Sequence, residues 1–488
     1  MTVQSENSMY DVIIIGGRPS GATAARRLAQ GGVRVLLLDR STFPSLPAVS
    51  SPIIYPCTMA LLDEIGAPES EYAHNTPKIR KMVSETRDLF RATSEIVEDR
   101  GRNYAYALDR SRFDAALWNH AAKQPNVTAM QGFAATDLLW DESQQRVIGV
   151  EGRQQNGTTQ RFYANTVVGA DGRFSLVARK VNAVEYEVDE GRTTSLYYAY
   201  WKNVEPYDID EPLMLAHGTQ DGIGYLMMDS ADGTVAVVSE GYADVIDRFI
   251  GGAENAREGY LKLLQNAPRI WERLQGAEMV TSVRGLKQTP NFYRQMWGNG
   301  WALIGDAAHH KDPLGGQGIY DAVFGAKAFS EAYLEYRQGK VTFNAAMSAY
   351  KERLEAETLP VYYNTLAARQ NFNAPNRLGQ LMGRYAMENP EIMQMMARVP
   401  ARMGDPTQML TTEMLIRTVA AGMVRDARRF LTGEPSPAAV PPLPSQRKRG
   451  MTETSSYQSR LGCLGWLFAM PVILIFGMGG NLRRRQSS

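Results

Sequence analysis

DVIIIGGRPSGATAARRLAQGGVRVLLLDR, Asp11 to Arg40, holds an apolar run, a glycine turn, a helical stretch of small residues and a second apolar run that closes on an acid. Short runs of branched residues suit a parallel sheet buried on both faces, and Ala22 to Gln30 suit a helix packed against it. The pattern predicts a strand, a helix and a returning strand. Gly16 and Gly21 keep the outer positions of G-x-G-x-x-G, the tight turn and the close helix–strand contact, while Asp39 with Arg40 beside it closes the second strand where an acid would bind a ribose. Arg18 stands where the middle glycine is expected. That glycine normally lets the backbone approach a pyrophosphate, so Arg18 raises the question of whether a nucleotide binds here at all. Two answers are open: the side chain turns away, or it helps to neutralise a pyrophosphate beside donors from Gly17 and the amides around Ser20. The bland alternative is an α/β unit whose glycines serve packing alone.

At 488 residues, 44% hydrophobic and 22% charged, the chain has an ordinary globular composition with ample length for a large core. The net charge of +1 conceals an asymmetry, because Pro444 to Ser488 hold seven basic residues against one acid, which leaves the preceding body net acidic. Such a body offers no basic field for nucleic acid. Cys57 and Cys463 are the only cysteines, and no Cys/His cluster has zinc-ligand spacing, so neither a disulfide framework nor a metal site is expected. The start, MTVQSENSMY, has neither a basic region nor an apolar one, and a cytoplasmic body is the expectation.

Further along, Val127 to Val168 alternate like antiparallel strands with turns at WDESQQ and QQNGTT. TSLYYAYW, PLMLAHG, GIGYLMMD and GTVAVVSEG then predict a second, antiparallel sheet, with Tyr197, Tyr198, Tyr200 and Trp201 divided between its faces. A helix is predicted from Ile319 to Arg337, and helical tendency rich in methionine continues to Leu431. The fold class is therefore α/β: a Rossmann-like domain with a parallel sheet, an antiparallel-sheet substrate domain and a C-terminal helical region. The boundaries are 9–186 with 281–340 for the discontinuous nucleotide domain, 187–280 for the second sheet, 341–432 for the helices and 433–460 for a Pro-rich, basic linker.

Two more motifs narrow the reading. VVGADGRFSLVAR, Val167 to Arg179, and WALIGDAAHHKDPLGGQGIYDA, Trp301 to Ala322, each place an Asp in a Gly- or Ala-flanked turn after an apolar strand, where a carboxylate can accept hydrogen bonds from sugar or ribitol hydroxyls. With the first turn, and in this order, they resemble the motifs of the FAD-dependent monooxygenases of the aromatic-hydroxylase type, a superfamily that includes geranylgeranyl reductases and flavin-dependent halogenases. The resemblance spans roughly Asp11 to Lys351. It implies that Gly16, Gly17, Ser20 and Gly21 hold the pyrophosphate of FAD and that Asp39 and Arg40 lie at the adenosine ribose. It also implies that Arg110 reaches the cofactor, that Asp171 and Gly172 serve FAD and the nicotinamide donor, and that Asp306 binds the ribitol. Pro313, Gly315, Gly316, Gly318 and Ile319 match the loop that lies against the isoalloxazine, where backbone amides can stabilise charge.

The same resemblance implies the chemistry: NAD(P)H, a transient co-substrate, reduces the flavin, O2 adds at C4a, and the distal oxygen passes to an apolar or aromatic small molecule. No catalytic base is assigned. His309 and His310 are candidates for a proton relay against the plainer reading of backbone-bonded histidines, and Lys311 with Asp312 are either a solvated pair or contacts near the ring. The rival activity is saturation of isoprenoid double bonds, as in geranylgeranyl reductases; a halogenase is disfavoured by the lack of a W-x-W-x-I-P segment. A non-catalytic flavin-binding or electron-carrier protein is the reading from another class, against which stand two isolated cysteines where quinone-linked carriers cluster theirs around iron–sulfur.

The tail carries LGCLGWLFAMPVILIFGMGG, Leu461 to Gly480, without one charge in 20 residues and with arginines on both sides. As a helix, its apolar part spans about 27 Å against a hydrocarbon core of about 30 Å. The expectation is a tail anchor in a membrane with the enzyme facing the cytosol; the alternative is an interfacial or partner-docking segment.

Overall fold

A computed structural model describes residues 9–46, 52–86, 90–207, 211–218, 221–251, 255–369, 377–404 and 411–434. Two compact units share the chain: one takes the residues up to His74, Leu108–Glu190 and Pro290–Leu359, the other Asn75–Ala107, Gly191–Thr289 and the residues from Pro360. Among the described residues no helix is long and apolar enough to cross a membrane, and Leu461–Gly480 lies outside them.

In the first unit the expected strand, helix and strand are Tyr10–Ile15, Pro19–Gln30 and Val35–Leu38. Residues 12–15 and 35–38 are buried throughout, the condition under which unbroken Val/Ile/Leu runs form parallel strands. Tyr10–Ile15 pairs in parallel with Val35–Leu38 on one side and with Thr159–Gly169 on the other. Val127–Met130 and Trp301–Leu303 extend the parallel order outward on either side. The direction of winding reverses at Tyr10–Ile15, and open α/β sheets take ligands in the crevice beyond the strand ends at such a reversal. Phe133–Trp140, Val147–Gln154 and the start of Thr159–Gly169 form the antiparallel meander read from the alternation. Helix Gly318–Arg337 packs on the turn helix, with Leu334 filling the space where a Cβ of Gly31 would stand.

The second unit is built on antiparallel strands in the order Thr194–Lys202, Val235–Tyr242, Ile223–Asp229 and Leu213–Gly218. Tyr197, Ala199 and Trp201 face helices Ala243–Ile250, Ala256–Gln265 and Pro268–Leu274 in one apolar core, and the strand's alternation puts Tyr198 and Tyr200 on the other face. Tyr260 pins the helices to the sheet by donating to the Val237 carbonyl at 2.7 Å while accepting Trp201 Nε1 at 3.3 Å. Residues 75–107, which the sequence places inside the nucleotide domain, fall in this unit: Lys81–Thr86 runs parallel to Leu213–Gly218 and antiparallel to Phe90–Glu95. Helices Arg377–Met387, Pro390–Arg398 and Thr412–Thr432 follow, tied by the buried Glu388 carboxylate accepting from Arg429 at 2.8 Å and by the Asp426 carboxylate accepting from Arg384 and Tyr385.

A charged group lies inside the second unit. The strand register sets Glu85 opposite His217 and His217 opposite Tyr225. Glu85 is buried, with His217 Nδ1 at 3.4 Å and the Tyr207 hydroxyl donating to it. Burial works to raise the Glu85 carboxyl, but His217, Tyr207 and the charge of Arg269 outweigh it and hold the carboxyl below the usual carboxylate range. A carboxyl depressed in the fold contributes stability above its unfolded value of about 4.3 and loses it as the pH falls through the folded value. Glu85→Gln is therefore expected to melt about 4–8 °C lower near neutral pH, for a loss of about 2 kcal/mol, with the gap closing below about pH 4. Thermal melting at both pH values checks this, and a gap that does not change with pH would show that Glu85 is not ionised in the fold.

Candidate functional site

The parallel register brings the ends of four strands level, Ile15 beside Leu38 and Gly169, and Gly169 beside Leu303. The segments leaving those ends therefore emerge side by side: Gly16–Gly21, Asp39–Ser41, Ala170–Asp171 and Ile304–Asp306. Their backbones touch. Gly16 has φ +102°, and a Cβ there would fall 2.3 Å from the Ala170 carbonyl oxygen. At Gly21 it would fall 1.8 Å from the Gly16 carbonyl oxygen, and at Gly305 2.8 Å from Ser20. A Cβ on Gly17 would meet the ring of Trp118 at 2.2 Å. The turn is thus closed by main chain at Gly16 and Gly21 and by the Trp118 ring at Gly17.

Asp39 secures the turn from the neighbouring strand end. It is buried, and its carboxylate accepts the Gly17 amide and the Ser41 amide, each at 2.7 Å. Arg40 next to it is exposed. Helix Pro19–Gln30 starts with Pro19 and has no acid in its first turn, so its leading amides present positive potential at the turn.

The other two acids differ in what they hold. Asp171 accepts Ser175 Oγ and the Leu176 amide, both at 2.6 Å, and so organises the turn that starts at Gly172, φ +82°, and leads into helix Leu176–Lys180. Burial pushes its carboxyl above the ordinary value, against the pull of those two bonds. Asp306, in a short 3-10 turn, keeps a side chain 46% exposed with His310 Nε2 at 4.0 Å, which makes it the acid most open to a ligand's hydroxyls.

Beyond Asp306 the chain forms a short strand, His309–His310, paired with Phe292–Arg294. His310 Nδ1 is bonded to the Pro290 carbonyl at 2.7 Å, and burial pushes the imidazole below its ordinary value while Asp306 opposes that shift. His309 stacks on Tyr293, centroids 5.0 Å apart, with Nε2 3.5 Å from Asp321. The plainer reading describes His310 well: a backbone-bonded histidine at a strand end. Lys311 is not a solvated partner of Asp312. Its ammonium pairs in the interior with Asp321 in the first turn of helix Gly318–Arg337, while Asp312 bonds the Leu314 amide at 3.1 Å and donates its own amide to Asn291 at 2.7 Å. That pair closes the base of the segment 312–320, in which Gly315 and Gly316 take φ +92° and +66° and the Gly316 amide bonds the Pro313 carbonyl. Gly318 begins the helix with open space around its Cα, and Ile319 is buried behind it.

Arg110 and Arg18 share a partner that the sequence reading missed. Asp114 is fully buried; it accepts Arg110 Nη2 at 2.8 Å and 3.1 Å and also pairs with Arg18. Of the two answers open for Arg18, the side chain turns from the turn's axis toward helix Arg110–Ala122. The spacing of Arg110 and Asp114, four apart on one helix, was the signal available.

A family model described as FAD binding domain matches residues 9–340. Among curated proteins, the flavin-dependent halogenase armH5 of Armillaria mellea is 25% identical over 68% of this chain and 65% of its own length, so the chain spans just under two thirds of that relative. The digeranylgeranylglycerophospholipid reductase of Methanosphaerula palustris is 26% identical over 70% of this chain and 81% of its own. Among solved structures, the flavin-dependent brominase Bmp2 aligns with a TM-score of 0.65 at 17% identity over 86% of this chain and all of that one. PqsL of Pseudomonas aeruginosa aligns at 0.60 and 16% identity over 75% and 97%. These structural likenesses agree with the mixed parallel and antiparallel α/β architecture.

Two stability measurements follow from the geometry. Gly21→Ala, driven onto main chain that has no rotamer to yield, is expected to lower the melting temperature sharply, whereas Gly318→Ala, with nothing within 4 Å, is expected to leave it unchanged. Asp321→Leu removes the carboxylate that the buried Lys311 pairs with and is expected to cost about 3–5 kcal/mol, most of it recovered when Lys311→Met is added; denaturant titration of the three chains reads this directly.

Proposed function

The chain belongs to the FAD binding domain family, and from that premise we propose that it is an FAD-dependent monooxygenase that uses NAD(P)H and O2 to hydroxylate or epoxidise an apolar or aromatic small molecule. The observation that carries the FAD part is the tight turn: Gly16, Gly17 and Gly21 let it pack directly on Ala170, Trp118 and its own main chain, where no Cβ would fit, the first helical turn is free of acids, and Asp39, Asp171 and Asp306 border adjoining strand ends. These residues fit the cofactor. The amides of Ser20 and Gly21 in the first turn of helix Pro19–Gln30 would hold its diphosphate, Asp39 would lie at its adenosine ribose and Asp306 at its ribitol. Bound there, FAD supplies the two-electron and oxygen chemistry.

The chain's own residues bind, orient and screen. The segment Pro313–Ile319 offers backbone amides and the N-terminus of a 20-residue helix to negative charge, and the Lys311–Asp321 pair keeps that segment folded back on itself. His310, held against the Pro290 carbonyl and shifted toward its neutral form, orients the approach to Asp306 and does not act as a ready acid. The oxygen-transfer step rests on the motif resemblance to aromatic hydroxylases. Reduction of isoprenoid double bonds is a second reading, favoured by the likeness to the Methanosphaerula reductase over four fifths of that enzyme. Halogenation is a third, favoured by the likeness to the Armillaria halogenase.

One assay separates them. Purified chain carrying FAD, given NADH or NADPH with aromatic and isoprenoid substrates under labelled O2, is expected to consume O2 and place one labelled oxygen atom in the product. Saturation of an alkene without O2 uptake would replace the first reading by the second. Turnover that requires halide and a separately supplied flavin reductase would replace it by the third.

A further inference from the structure

Arg18 does more than occupy a glycine's place. Its guanidinium pairs with Asp114 on helix Arg110–Ala122, donates to the Ser45 carbonyl and to Ser45 Oγ at 3.2 Å each, and lies 5.3 Å from the centre of the Phe43 ring. Phe43 in turn packs on Trp118, ring centres 5.1 Å apart, and Trp118 is the ring that backs Gly17. One side chain therefore ties together the glycine turn, the helix that carries Arg110, and the segment that continues from Asp39. Asp114, fully buried, receives two guanidiniums, one of them from beside a helix start that is free of acids.

On the reading that FAD occupies this turn, we propose that Arg18 and Asp114 are positioning residues for the adenosine diphosphate half of the cofactor: they hold the wall of Phe43 and Ser45 beside Asp39 and fix Arg110 next to the diphosphate. The usual middle glycine gives close backbone approach. Here a guanidinium strut gives a closed wall and a placed positive charge in its stead. The consequence runs against the motif. Arg18→Gly, which restores the common form of the turn, weakens FAD binding, and it does so without unfolding the unit because Asp114 retains Arg110 as its partner.

The test compares two flavins on the full chain stripped of bound flavin, by calorimetric or fluorescence titration with FAD and with FMN, which lacks the adenosine half. Arg18→Gly and Asp114→Asn are each expected to weaken FAD about tenfold or more while leaving FMN within about twofold, and the double variant to fall close to the weaker single one. Arg18→Lys keeps the charge toward Asp114 without the fork to Ser45 and should lose about threefold, which gives a reading even if the glycine variant folds poorly. FAD affinity unchanged in Arg18→Gly, or FAD and FMN weakened in equal proportion, overturns the proposal while leaving the FAD reading intact. An unaltered chain that binds neither flavin overturns the FAD reading and this proposal with it.

Discussion

The contact on which the first unit depends is between main chain and main chain: the Gly21 Cα against the carbonyl of Gly16, so close that a single methyl would stand 1.8 Å from the oxygen. It fixes the angle at which helix Pro19–Gln30 leaves the sheet. From that angle follow the direction of the leading amides, the seat of Ser20 against Gly305, and the room for Ala170 beside Gly16. A hydrophobic core alone tolerates repacking at modest cost. A backbone-on-backbone contact has no such freedom, and the surrounding segments inherit its geometry.

Much of this was legible because it is local. The apolar runs, the helix between them, the outer glycines and Asp39 lie within thirty consecutive residues, and each declares itself through periodicity or spacing. The meander after Val127 and the four antiparallel strands of the second unit were equally plain, since alternation marks a half-exposed or two-layered strand whatever its partner. What could not be read was pairing at a distance. Lys81–Thr86 looks like any short strand, and only its register with Leu213–Gly218 assigns it to the second unit. Asp114 looks like an ordinary helix-surface acid until Arg18, 96 positions earlier, is seen against it. Lys311 and Asp321 sit ten apart across a glycine-rich segment, and neither reading open for Lys311, a solvated pair with Asp312 or contacts near the ring, names this carboxylate as its partner.

The two units handle buried charge in the same way. In the first, Asp114 and Asp321 each meet cations in the interior. In the second, Glu85 draws on an imidazole and a phenol, and Glu388 on three arginines. Buried ion pairs add little net stability over apolar packing of equal volume, yet losing one member is expensive. Such pairs therefore work as registration marks: an alternative packing that separates the members is heavily penalised, so segments distant in the chain are held to one arrangement.

The turn's glycines also differ in how a lineage could escape them. What blocks a side chain at position 17 is the indole of Trp118, an object that mutation can shrink; what blocks one at position 21 is the peptide carbonyl of Gly16, which no substitution removes. A lesion at Gly17 is accordingly open to second-site suppression through a smaller residue at 118, whereas a lesion at Gly21 has no suppressor within reach and reverts only at its own codon.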